Sequence, residues 1–147
     1  MACPYFFPQK RLEGKTKHPR LPLGDPYNGV CRVDPMRDWR PDEARLRESC
    51  NVGYARRSCP RFPKEPGMDA IRFSMTSDED GVLKIFYVCE ENHAPGDHGA
   101  LEYSTALGKF VDGHPNQILQ QQAQAYVESY LRRKHHPEHA AKNPHRR

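Results

Sequence analysis

Four of the five cysteines, Cys3, Cys31, Cys50 and Cys59, fall early in the chain, with 27, 18 and 8 residues between successive members. Four thiolates are the full ligand set for a [4Fe–4S] cluster or for a tetrahedral zinc ion. The intervals separate the two. Structural zinc sites use short C-x2-4-C knuckles, and this chain has none. A cubane is larger than an ion and can be held from separated loops, so long intervals suit it better. Two of the four cysteines precede proline, in Cys3-Pro4 and Cys59-Pro60, and Cys-Pro also closes a ferredoxin-type ligand run. Proline removes a backbone donor and fixes the direction of the chain after the ligand.

Four thiolates around either metal centre leave a net negative charge that is costly to bury alone. Arg32, Arg56, Arg57 and Arg61 adjoin the four cysteines and are the expected compensation, with Tyr5, Phe6, Tyr54 and Phe62 as a shield against water. The competing reading is that these cysteines are ordinary small core residues, since free cysteine is often buried. That reading is preferred for Cys89, which alternates with Leu83, Ile85 and Tyr87 in a strand-like run and is expected to be a core thiol rather than a ligand.

The sequence also offers two other chemistries. The run Glu90 to His98 gathers acids with His93 and His98, and a small enzyme using this pair for general acid–base work is one alternative. No H-E-x-x-H pattern is present, and a polar loop leaving a strand explains the run more simply. Gly53-Tyr54-Ala55-Arg56-Arg57 and Arg61-Phe62 join cations to aromatic rings, the residue types that neutralise phosphate and stack bases. Arginines offsetting a thiolate cluster are the preferred account, so nucleic acid is not favoured as a partner. Glycine patterns of P-loop and dinucleotide sites are absent, as is G-x-S-x-G.

The elements that must position these residues are modest. The chain has 147 residues, the length of one domain, and 36% hydrophobic content with a mean hydropathy of -0.94 implies a thin core. The net charge of +4 is uneven: residues 1–67 carry 14 Lys/Arg against 8 Asp/Glu, whereas residues 68–114 carry 3 against 9. The cysteines thus lie in the basic part. The first ten residues lack a basic segment followed by an apolar run, and no stretch approaches the roughly 20 apolar residues that span a bilayer. A cytoplasmic location without membrane association is therefore expected, where thiols stay reduced and clustered cysteines act as ligands.

Ten of the 14 prolines precede residue 67, which predicts an irregular wrap there rather than long elements. Within it, residues 41–50 read as a short helix with proline and two acids in its first turn, stopped by Gly53. Ile71, Phe73 and Met75, then Val82 to Glu90, read as a β-hairpin over about 69–90, turning at 77–81. A further short strand is expected near 101–104 or 109–111. From Asn116 a helix is expected to about 134, with Ile118, Leu119, Ala123, Tyr126, Val127, Tyr130 and Leu131 inward and Gln120, Gln121, Gln124, Glu128 and Ser129 outward.

The expected fold class is α+β: a proline-rich, metal-organised N-terminal half (1–67), a small antiparallel sheet (68–114) and an amphipathic helix (115–134), forming one domain over 1–134. Residues 135–147 read as a disordered basic tail. The expected function is to bind one [4Fe–4S] cluster through Cys3, Cys31, Cys50 and Cys59, for electron transfer, redox sensing or structural support, with a redox or protein partner. A zinc-stabilised module binding nucleic acid or protein is the first alternative, and the His93/His98 enzyme the second.

Overall fold

Pro8 does not keep the first segment out of a sheet. In the computed structural model, which describes residues 2–12 and 22–135, β1 (Phe6–Arg11) pairs antiparallel with β2 (Tyr27–Cys31). The irregular wrap expected here is thus partly a two-stranded sheet. The register shifts between Pro8 and Lys10, and such a bulge tolerates a residue without a donor. Gly29 faces this point across the pair, where a Cβ would collide with the Phe7 carbonyl.

The helix expected over residues 41–50 is present, with two differences. Its cap is Asp42, whose Oδ1 accepts the Arg45 amide at 2.8 Å, so Pro41 precedes the helix rather than opening it. After one turn, α1 (Glu43–Arg45), the backbone widens into a π-helical turn over Leu46–Cys50. Gly53 and Tyr54 follow with φ of +78° and +54° and reverse the chain. Asn51 fixes this corner from within: its Oδ1 accepts the Tyr27 amide, and its Nδ2 donates to the Tyr27 and Leu46 carbonyls, all at 3.0 Å.

Four strands, β3 (Ala70–Glu79), β4 (Val82–Glu91), β5 (Ala94–Ser104) and β6 (Lys109–Phe110), form an antiparallel sheet in sequence order. The turn expected over 77–81 narrows to Asp80-Gly81, with φ of +57° and +77°, because a bulge between Met75 and Ser77 lets the strands pair to their tips. The second turn is Asn92-His93, with φ of +53° and +63°, so what reads as a polar loop after Glu90 is a tight turn followed by strand. Both short strands weighed from sequence exist, one as the end of β5 and one as β6. Ile71, Phe73, Leu83, Ile85, Tyr87, Leu101 and Tyr103 are buried in the core.

The last helix, α2 (Gln117–His135), starts at Asn116, whose Oδ1 accepts the Ile118 and Leu119 amides at 3.0 and 3.1 Å. Leu119, Ala123 and Val127 are buried, whereas Ile118, Tyr126, Tyr130 and Leu131 are only partly so. Ser129, expected to face solvent, is fully buried, because its hydroxyl bonds the Tyr27 hydroxyl at 2.8 Å. Gln122 is fully buried too, and it serves β1. Its Nε2 donates to the Cys3 and Phe6 carbonyls at 2.7 and 2.8 Å, while Gln121 Nε2 donates to the Pro8 carbonyl at 2.7 Å. Two glutamines thus satisfy backbone acceptors of β1 and of the segment before it.

The tail read from residue 135 lies outside the described residues, except His135, which is the last residue of α2. Among the described residues no helix is long and apolar enough to cross a membrane.

Candidate functional site

Each of the four cysteines comes from a different element. Cys3 follows Ala2, which bridges to Ile71 through two 2.9 Å backbone bonds, and the Cys3 amide donates to the Cys50 carbonyl at 3.1 Å. Cys31 ends β2 and bridges to Trp39, its amide donating to the Trp39 carbonyl at 2.7 Å. Cys50 ends the π-helical turn. Cys59 closes a turn in which its amide donates to the Ala55 carbonyl at 2.8 Å.

All four line one narrow, apolar cavity of about 20 Å³, together with Tyr5, Phe6, Val33, Trp39, Ala55 and Phe62. All are free thiols; Cys3, Cys31 and Cys50 are buried and Cys59 is half-buried. Cys89 is not part of the lining. It lies buried in β4 opposite Ile71, and its thiol is pushed up to about 11 by desolvation and by Asp97.

The thiols are electrostatically coupled. Burial pushes Cys3 up to about 12, Cys31 and Cys59 add to the shift, and hydrogen bonds from the Tyr5 and Phe6 backbone amides oppose it. Burial, then Cys3, Cys31 and Cys59, raise Cys50 as well. Pro4 has no amide hydrogen, so the two amides that reach the Cys3 sulfur are those of the residues just beyond it.

The arginine at this cavity is Arg45, not one of the four expected from sequence. The neighbouring Cys59 thiol raises the Arg45 pKa further, while Nε and Nη1 are buried with no hydrogen-bond partner. A buried cationic donor left unpaired is expensive unless an anion faces it. Arg61 stacks over Trp39 at 4.3 Å, and its Nε is also buried without a partner. Arg32 instead pairs with Asp38 at 3.2 Å. Arg56 pairs with Asp69 at 2.8 Å and donates to the Pro63 and Glu65 carbonyls. Tyr54 turns away to Glu90 and His93, leaving Trp39 and Val33 to complete the apolar wall with Tyr5, Phe6 and Phe62.

The one sequence signal for Arg45 is its place in the short helix that ends at Cys50.

Among the described residues, no three His, Cys, Asp or Glu side chains are close enough to hold a single metal ion. Tetrahedral zinc, with Zn–S near 2.3 Å, would need sulfurs about 3.8 Å apart. The remaining room, about 20 Å³, is enough for about one water.

His93 and His98 are not brought together. His93 occupies the β4–β5 turn, stacked on Tyr54 with ring centroids 4.2 Å apart, and lines a second cavity; His98 sits in β5 opposite Val88, against the Phe86 ring, and does not line it. No family model matches the chain, and no curated protein or solved structure shows significant similarity to it. What the site can do is read from its own residues.

Proposed function

We propose that Cys3, Cys31, Cys50 and Cys59 together hold one [4Fe–4S] cluster. The observation that carries this reading is the convergence of four thiols, separated by up to 56 positions in sequence, on one apolar cavity walled by the Arg45 guanidinium, whose Nε and Nη1 have no hydrogen-bond partner. Cubane and thiolates together are anionic, which fits a cavity walled by a cation and by aromatic rings. When bound, such a cluster supplies one-electron chemistry or a structural cross-link.

The protein's own contributions follow from named groups. Tyr5 and Phe6 amides direct hydrogen bonds to the Cys3 sulfur, and bonds of this kind tune a cluster's potential. Arg45 offsets charge beside Cys59. Tyr5, Phe6, Trp39 and Phe62 limit access of water. Four protein ligands leave no iron position open to a substrate, so electron transfer to a redox partner, redox sensing or structural support is favoured over catalysis. The long intervals between the four cysteines, with no C-x2-4-C knuckle, favour the cluster over the zinc module.

Anaerobic reconstitution with iron and sulfide tests the proposal. A brown protein with broad absorbance near ~400 nm is expected. A protein that stays colourless while taking up one zinc would replace this reading with the zinc module.

A further inference from the structure

A second cavity lies apart from the cysteine cavity. It is an open cleft of about 660 Å³ lined by Tyr54, Arg56, Arg57, Lys64, Glu91, Asn92 and His93, among others. Its volume falls within the range of small-ligand sites, about 300–1,000 Å³.

The backbone is strained at this cleft. Four non-glycine described residues have positive φ, and three of them, Tyr54, Asn92 and His93, line it. His93 occupies the second position of a tight hairpin turn where glycine is the unstrained choice. Surrounding groups hold it there. The Asn92 amide donates to Asp69 Oδ2 at 2.7 Å, and the His93 amide donates to the Tyr54 hydroxyl at 3.1 Å. The imidazole and phenol planes are within 4° of parallel. His93 is exposed and lines the cleft, with Tyr54 the one aromatic ring stacked on its imidazole among the described residues.

The charges are complementary to phosphate. Arg56 is spoken for by Asp69 and two carbonyls. Arg57 and Lys64 are exposed and make no ion pair with any described residue. Glu91 is the one acid on the rim without a cationic partner among them. Asn92 adds an exposed carboxamide able to bond a base edge.

We propose that this cleft binds an unstacked nucleotide, its base on the outer face of His93 and its phosphate between Arg57 and Lys64. The inference stands apart from the cluster, since no cysteine lines the cleft. Nucleic acid, not favoured from sequence alone, re-enters here because the fold gathers Tyr54, Arg57 and His93 on one opening.

The test is calorimetric or fluorescence titration of the full, anaerobically purified chain with AMP, inorganic phosphate and a single-stranded oligoadenylate. Saturable binding of AMP identifies a free nucleotide; binding of the oligonucleotide alone identifies a nucleotide within a strand. Both support the proposal, and binding of neither overturns it. His93→Gly relaxes the turn and removes the ring, so the variant should stay folded while affinity falls about tenfold, at the low end expected for losing a stacked base. Arg57→Ala with Lys64→Ala should weaken binding at least tenfold and flatten its salt dependence. If phosphate binds as tightly as AMP and His93→Gly changes nothing, the cleft is a simple anion site and the nucleotide assignment is wrong.

Discussion

Replacing Gln122 with methionine isolates what α2 does for the site. The side chain is fully buried, and its Nε2 serves the Cys3 and Phe6 carbonyls at 2.7 and 2.8 Å. Methionine keeps the shape and removes both bonds. Each buried bond is worth about 1 kcal/mol net, and a buried carbonyl left unpaired adds about 1 kcal/mol more. Only Phe6 is exposed to that addition, because the Cys3 carbonyl still accepts the Phe6 amide at 3.0 Å. Against this, Gln122 Oε1 is itself buried without a partner, and removing it returns about 1 kcal/mol. The balance is a loss of about 2 kcal/mol, which in urea lowers the midpoint by about 1 M at unchanged slope. Iron retention in the reconstituted protein should fall with it, although no cysteine has changed. A midpoint equal to or above that of the parent would show that the carboxamide does not hold the Cys3 segment, and the reasoning would fail.

Asn116→Ala removes the cap of α2 and should reduce stability by about 1 kcal/mol in the same urea assay, without altering iron content. Arg45→Met should lower cluster retention under oxygen while preserving the fold of the cluster-free protein as judged by circular dichroism, because its buried Nε and Nη1 have no protein partner to lose. Serine at Cys3, Cys31, Cys50 or Cys59 should each reduce bound iron, whereas Cys89→Ser should leave it unchanged; equal effects at all five would break the ligand assignment. Acid should also destabilise. Burial raises Asp69, but the Asn92 amide and Arg56 outweigh it, and Lys134 and Tyr130 hold Asp78 down, so both carboxyls titrate below their ordinary 3.8. Their contribution is complete above that value and is lost as pH falls through the lowered ones, which thermal melts between about pH 5 and pH 2 should report, with a smaller loss in Asp69→Asn.

The β-rich run from Val82, a turn within residues 77–81 and the α2 stripe were legible because period and turn chemistry act locally. The β1–β2 sheet was not. Pro8 argues against a strand, and only the bulge beside it, set by pairing with a distant segment, makes the strand tolerable. Polarity placed Ser129 outward and left Gln122 on neither face, since their inward placement depends on the Tyr27 hydroxyl and on the Cys3 and Phe6 carbonyls. At the site, composition and spacing singled out the four thiols, but not the cation beside them. Arg56 lies three residues before Cys59 in sequence and is drawn away by Asp69, while Arg45, more remote, lines the cavity from the short helix. Likewise, the Glu90 to His98 run read as a polar loop with a His93/His98 enzyme as an alternative, whereas the Asn92-His93 turn puts the two imidazoles in different surroundings.

The most direct test is chemical analysis of iron and acid-labile sulfide in protein purified without exposure to oxygen. A single cubane on four thiolates requires about four of each per chain. Protein carrying neither, and unable to take them up when both are supplied, would contradict the account.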